Sequence, residues 1–506
     1  MKQMAKSMLV MLALAFVLAA CGTSGKNSGN PSASSSGAGK QETEGKLTEL
    51  NVIVFSDRGE LKDMPLVQNA INEHIRDLIQ VKVNLTTVSV GDYVQKTNLM
   101  LTGNEKVDLM VVSPFFGYNS QVARGQLQPL DELVDKYGPD IKNVVGAEYL
   151  NAGKVNGKLY GVVPMKDMAS GTGLIMRKDL VDKYKIDIGS IKTLEDVGAV
   201  LKVIKDNEPD VIPLVPGATG ASMLYFQKWY DDLGDGNGVL PNYDNGMKVV
   251  NLFETPEYAD QLKLMREWYQ SGYIMKDAAT TKEDHIDLVK AGRAFAYFSA
   301  TKPGIEDQET NKTGVPMVNA DILQPATTTS AVTSFMWGIP RNAGASEKAM
   351  AFLNLMYKDK ELVNLLDWGI EGQHYVKVSD GVIDYPEGMN GGNTPYPMSM
   401  KFLFGNEFFA YTLKGSDPDI WKKMDAFNKS AVKSKALGFS FDSTPVKTET
   451  AAVTNVINTY KNALEAGTLD PAQKLPEFIA KLKEAGMDKI VAEKQKQLDD
   501  WAKANP

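Results

Sequence analysis

Apolar residues recur along this chain with two periods, and the switching between them predicts its elements. Leu50–Phe55 (LNVIVF) is a short run rich in β-branched residues, which predicts a buried strand. Val67, Ala70, Ile71, Ile75 and Leu78 follow at helical spacing, and Val81, Val83 and Leu85 alternate as on a half-buried strand. Val107–Val112 (VDLMVV) reads as another compact strand. Strand, helix and strand with short links predict right-handed crossovers and a parallel sheet. Leu127–Tyr137 predicts a surface helix opened by Pro129. Leu159–Val163 and Leu174–Arg177 predict two strands flanking a Gly/Ser-rich join, and Ala294–Ser299 and Ser334–Pro340 two more. After Pro340 comes a helix capped by Ser346, with Ala349, Phe352, Leu353 and Met356 on one face. The next runs from Lys360 and stops at Gly369, a left-handed C′ residue. The C-terminal part predicts three helices: Ala451–Ala466, one opened by Pro476 and ending near Gly486, and one marked by Met487, Ile490, Val491, Leu498 and Trp501. They are expected to pad the outside of a lobe.

The first residues follow a different pattern. Lys2 and Lys6 precede an apolar run from Met8 to Ala20, too short for a permanent bilayer span and of signal-peptide length. It ends in Leu18-Ala19-Ala20-Cys21, which resembles the lipobox of bacterial lipoproteins, and Cys21 is the single cysteine of the 506 residues. The resemblance implies cleavage before Cys21 and lipid on its thiol. Gly22–Lys46 holds almost no apolar residues and is expected to be a disordered tether, with a reach of roughly 25–30 Å.

Charge and residue inventory narrow the function classes. The formal net charge is −8, more negative once Lys2 and Lys6 leave with the leader, which argues against nucleic acid. With no cysteine beyond Cys21, thiol catalysis and thiolate metal sites are absent from the body. His74, His285 and His374 are scattered and none sits in HExxH; GxSxG, GxxxxGK[ST] and GxGxxG are missing. Asp231–Gly238 (DDLGDGNG) evokes a calcium loop, but Leu233 stands at its third position, so a tight turn is expected. No cofactor or metal is predicted.

Four blocks together resemble the extracellular solute-binding proteins of ABC importers, the class that includes maltose-binding protein. They are the lipobox; the first strand followed by Ser56-Asp57-Arg58; GKLYGVVP…GLIMRKDLVDKY; and GIPRNAGASEKAMAFLNLMYKDKELVNLL. The stretch from LGFSFDSTPVKTETAAVTNVINTY to EKQKQLDDW is similar to a C-terminal domain of unknown function in a subset of Gram-positive lipoproteins. The resemblance implies a type II, periplasmic-binding-protein-like α/β fold of two lobes, with the ligand in the cleft between them. Implied boundaries are a signal peptide at 1–20, a lipidated linker at 21–46, lobe one at 47–165 and 315–369, lobe two at 166–314 and 370–444, and extra helices at 445–506. The implied protein is a monomer on the outer face of the cell membrane, held by lipid on Cys21. It captures a carbohydrate, an oligosaccharide for preference, by hinge closure and delivers it to the permease subunits of an ABC transporter.

A sugar cleft needs aromatic faces for C–H surfaces and buried polar groups for hydroxyls. Residues just past predicted strand ends that could supply them are Asp57, Arg58, Phe115, Tyr118, Asp167, Trp229, Phe298, Ser299, Trp337 and Glu371. Trp229 and Trp337 suit a core equally well, and one of Phe115 and Phe116 is expected to be core. Glu371 divides evenly between cleft and surface. Two rivals stand beside the carbohydrate receptor: a peptide receptor of the same fold, and a lipoprotein enzyme acting on polysaccharide with two facing carboxylates.

Overall fold

The structure, a computed structural model, describes residues 47–103 and 105–505. The signal segment, Cys21 and the Gly22–Lys46 tether lie outside them. Two main sheets are built from β1 (Thr48–Ser56), β2 (Val81–Ser89), β3 (Leu109–Val112), β4 (Ser170–Arg177), β5 (Ile212–Val215), β6 (Ala294–Thr301), β7 (Met317–Thr327), β8 (Met336–Gly338) and β9 (Val432–Lys433). The helices used below are α1 (Met64–Ile79), α2 (Pro256–Gln270), α3 (Ile420–Ser430), α4 (Lys447–Glu465), α5 (Pro471–Glu484) and α6 (Met487–Ala504).

The first sheet has the order β8-β3-β1-β2, with β1 parallel to β2 and β3, and β8 antiparallel to β3. β1 is central and buried from Val52 to Ser56, as its continuous apolar run requires. α1 makes the crossover to β2. It buries Met64, Val67, Ile71 and Ile75, while Leu78 keeps the period yet stays exposed near the helix end. The chain leaves α1 through Gln80 at φ 55°, whose N–H donates to Arg76 O. The second sheet, β9-β7-β4-β6-β5, is mixed: β4 lies between antiparallel β6 and β7, so both edges of its backbone are paired.

Each sheet has its own core, giving the two-lobed α/β fold. One core draws on positions 50–168 and 332–404, the other on 174–320 and 436–498. Three boundaries differ from expectation. β7 pairs with β4 and belongs to the second lobe, so the return passage falls at Thr328–Ser334 and not at Val315. Tyr396, Met398, Leu403 and Phe404 lie in the first core, beyond the predicted switch at Ile370. The C-terminal helices complete the second core: Phe478, Leu482, Met487, Ile490 and Leu498 are fully buried, with the Phe478 ring 4.8 Å from Phe253.

Local signals differ in a few places. α5 opens at Pro471 under an Asp470 cap, and Pro476 lies inside its second turn. The helix from Ser346 has no side-chain cap; the Ser346 hydroxyl accepts from Gln128 Nε2 at 2.8 Å. Leu159–Val163 forms no continuous strand; Lys158–Leu159 pairs with Lys154–Val155, and Val162 makes a single antiparallel bridge to Trp337. Gly369 ends its helix at φ 79°, and a Cβ there would stand 2.5 Å from His374 Nδ1.

Candidate functional site

Sheet topology brings one edge of each lobe to the passages between them. In the first lobe, β1 and β3 end and β8 begins on one edge. In the second, β4 begins where β5, β6 and β7 end. The crossing Met165–Ala169 joins these edges. Beside it runs the later passage toward α3: Met165 N donates to Gly405 O at 2.7 Å, and Asn428 Nδ2 donates to Lys166 O at 2.7 Å. Residues just beyond those strand ends are the candidates for the two walls and the floor of an interlobe site.

The wall from the first lobe is aromatic. Ser113 caps the short turn Pro114–Phe116, accepting from Phe115 N at 3.1 Å and donating to Ser334 O at 2.5 Å. That turn aims the two phenylalanines apart. Phe116 packs inward on Tyr93 and Phe55, at 4.7 and 5.3 Å, while Phe115 is 75 % exposed. Phe335 lies 6.2 Å from Phe115 and 5.4 Å from Phe402, extending the tier. Asp57 and Arg58 follow β1 and are exposed; Asp57 accepts from the Ser399 hydroxyl. The stretch from Ser399 to Phe402 thus edges this wall twice.

The floor and the opposite wall are charged. Asp167 accepts from Lys302 Nζ at 2.7 Å, with Lys166 Nζ at 3.5 Å. Burial pushes its carboxyl up, but the two ammonium groups more than offset this and hold it below the ordinary aspartate range. Lys302 is the first residue beyond β6. Glu407, half-buried, has its carboxyl pushed up to about 7 by burial and by the Asp167 charge. After β5, Lys228 pairs with Asp232 at 2.9 Å and sits 5.8 Å from the exposed Tyr225 ring. Burial raises both neighbouring carboxyls, but Lys228 and the Ser330 hydroxyl hold Asp232 at about 2, while burial and the Asp232 charge push Asp231 up to about 6.

Four residues singled out from the sequence lie elsewhere. Trp337 is wholly buried inside the β8 ladder, its Nε1–H donating to Leu403 O at 2.6 Å. Tyr118 is core, its hydroxyl donating to Gly153 O at 2.7 Å. Phe298 is core opposite Leu174, because β6 continues to Thr301. Glu371 is exposed and pairs with Lys377 at 2.7 Å on the rim of a separate cavity of about 470 Å³ with Tyr375 and Tyr411. Ser299 is half-buried across from Gly173. Trp229 is half-buried, donating to Gln261 Oε1 at 3.4 Å and set edge-on to Tyr230. Sequence reasoning passed over Phe335, Phe402, Ser399, Tyr225, Lys228, Asp232, Lys302 and Glu407. Lys228, Phe335 and Lys302 were within reach, one, two and three residues from the chosen Trp229, Trp337 and Ser299. Ser399, Phe402 and Glu407 carried no local signal.

Asp231–Gly238 is a chain of tight turns: Asp231, Asp232 and Asp235 each accept from the backbone N–H two residues on. Asp235 also pairs with the buried Lys494 ammonium of α6. Among the described residues no group of three or more His, Cys, Asp or Glu is placed to hold a metal ion. No helix among them is long and apolar enough to cross a membrane.

Comparison with known proteins gives the family and its relatives. The chain is 29 % identical to a carbohydrate ABC transporter substrate-binding protein of Streptococcus pneumoniae serotype 4 (strain ATCC BAA-334 / TIGR4), covering 97 % of this chain and 96 % of that one. It is 29 % identical to Lipoprotein LipO of Bacillus subtilis (strain 168), over 60 % of this chain and 62 % of that one. Its fold matches the crystal structure of the N-glycan transport solute-binding protein NgtS from Streptococcus pneumoniae, with a TM-score of 0.81 at 25 % identity over 91 % of this chain and all of the other. The TM-scores are 0.71 and 0.68 against NgtS in complex with Man1GlcNAc and Man5GlcNAc, each at 25 % identity, over 90 % and 91 % of this chain and 100 % and 99 % of those chains. Residues 435–503 match a domain of unknown function, DUF3502. Residues 75–362 match the bacterial extracellular solute-binding protein model, and the chain belongs to that family.

Proposed function

We propose that this protein is the carbohydrate receptor of an ABC importer: it captures an oligosaccharide between its lobes and hands it to the permease. One observation carries the reading. The sheet edge of the first lobe at the passages carries an aromatic tier, Phe115, Phe335 and Phe402, and the crossing and the edge of the second lobe carry charged groups that include Asp167, Lys302 and Asp232. Aromatic faces cover the C–H surface of a pyranose, and carboxylate and ammonium groups pair with its hydroxyls. The N-glycan complexes of NgtS support a neutral glycan as the ligand class. The ligand residues proposed are Phe115, Phe335, Asp57, Arg58 and Asp167, with Trp229 and Ser299 on the second lobe. Lipid on Cys21 would hold the monomeric body at the outer face of the membrane; the similarity to Lipoprotein LipO favours that anchor.

Calorimetric titration of the soluble body with Man1GlcNAc, Man5GlcNAc and unrelated neutral oligosaccharides tests the proposal. Saturable binding without product formation is the expected result. Peptide binding, or slow release of monosaccharide, would replace the reading by one of its rivals.

A further inference from the structure

The second lobe and the C-terminal domain enclose a pocket of about 120 Å³. Tyr225, Gln227, Lys228 and Asp232 reach it from the chain after β5, and Lys461 and Glu465 from α4. Two of its buried polar side chains have unpaired polar atoms. Gln227 is 2 % exposed, and neither its amide oxygen nor its nitrogen has a hydrogen bond. Glu465 is 2 % exposed; its Oε1 accepts from Tyr258 OH at 3.0 Å, and its Oε2 has no partner. Burying such groups unpaired is costly, so the pocket calls for a polar occupant.

The lining describes that occupant. Two ammonium groups, Lys228 and Lys461, balance two carboxylates, Asp232 and Glu465, so neither an anion nor a cation is favoured. The Gln227 amide offers a donor and an acceptor side by side. Groups that donate and accept in one plane, with no net charge, suit hydroxyls on a sugar ring. Tyr225, 45 % exposed, adds an aromatic face. The free space is about that of four waters at ~30 Å³ each, enough for the hydroxylated edge of one ring. The pocket also touches the hinge, since Asp232 accepts from the hydroxyl of Ser330, on the return passage between lobes, at 2.7 Å.

We propose that this pocket is a subsite for one sugar unit of a longer glycan, and that the C-terminal domain of unknown function supplies part of it through Glu465 and Lys461. The proposal rests on the carbohydrate-receptor reading. It makes the domain a determinant of ligand length in addition to its part in the core of the second lobe.

Affinities of the wild type, Glu465→Gln and Lys461→Ala are measured by calorimetry for Man1GlcNAc, Man5GlcNAc and neutral oligosaccharides of two to seven units, with melting temperature recorded for each. Both variants are expected to bind the longer glycans roughly ten-fold more weakly while binding of the shortest ligand is unchanged. Lys461 is half-buried and outside the core, so its variant keeps the test open if Glu465→Gln folds poorly. A wild type that binds long glycans, with folded variants that match it, overturns the subsite and leaves the receptor reading standing. Equal weakening for short and long glycans also overturns it. A wild type that binds no oligosaccharide overturns both.

Discussion

At the scale of single residues, two aromatic side chains only two positions apart have different fates. Phe335 precedes β8 and joins the tier at the cleft, whereas Trp337 sits within the ladder with its ring in the core. Trp337→Ala should therefore cost about 3–5 kcal/mol of stability, read by denaturant unfolding, with glycan affinity of the folded protein intact. Phe115→Ala should do the opposite: an unchanged melting temperature and a loss of affinity of roughly two- to ten-fold, the ~0.5–1.5 kcal/mol of one aromatic contact. Glu407 gives a pH signature. Its carboxyl titrates near 7 in the folded protein and near 4.5 when unfolded, so the folded state alone keeps the proton between those values. The contribution of Glu407 to stability falls as pH rises through that window, by at most about 3 kcal/mol, whereas Lys401, pulled down to about 7 by burial, adds stability as pH rises above it. Glu407→Gln should flatten this part of the profile; a variant whose melting temperatures at pH 5 and pH 8 differ as much as those of the wild type would contradict the assignment.

Among the elements, the C-terminal helices changed the picture most. Their apolar periodicity is plain in the sequence, but a helical stripe does not say which surface it covers. Phe478, Leu482, Met487, Ile490 and Leu498 finish the second core, and each contributes about 1.5–3 kcal/mol by burial. A chain ending before α4 should lose the second lobe: loss of its near-ultraviolet dichroism and a broad, lowered melting transition are expected, where an external decoration would leave both unchanged. α6 also inserts Lys494, 0 % exposed, onto Asp235 and Gly238 O. Breaking a buried pair from one side strands the other charge. Asp235→Ala should thus destabilise by about 3–5 kcal/mol, while Lys494→Met, which removes the buried charge itself, should cost much less. Equal losses in the two variants would mean the pair is solvated.

For the whole molecule, the passages between lobes run side by side at Met165–Ala169 and Gly405–Glu407, a geometry suited to a hinge. Small-angle scattering with saturating glycan should show a smaller radius of gyration, because only contacts from both lobes give the closed state its extra affinity. An unchanged radius would remove closure from the mechanism. Cys21→Ala should release the protein from the membrane fraction; a variant that still sediments with membranes would exclude lipid on that residue.

Much of the element order could be read directly, because strand and helix periods and Gly369 at a helix end are local steric facts. The lobed architecture and the ligand class were reachable through resemblance, since four separated blocks share an order. What lay out of reach depends on partners far along the chain. β4 could not announce that one neighbour would be β7, about 150 residues later, and that pairing moves the lobe boundary. Phe402 and Ser399 sit at the cleft only because the first core recaptures that stretch. Whether Tyr118, Phe298 or Trp337 meets ligand or core turns on where a strand stops, and hydrogen bonding between distant segments sets that to within a residue or two.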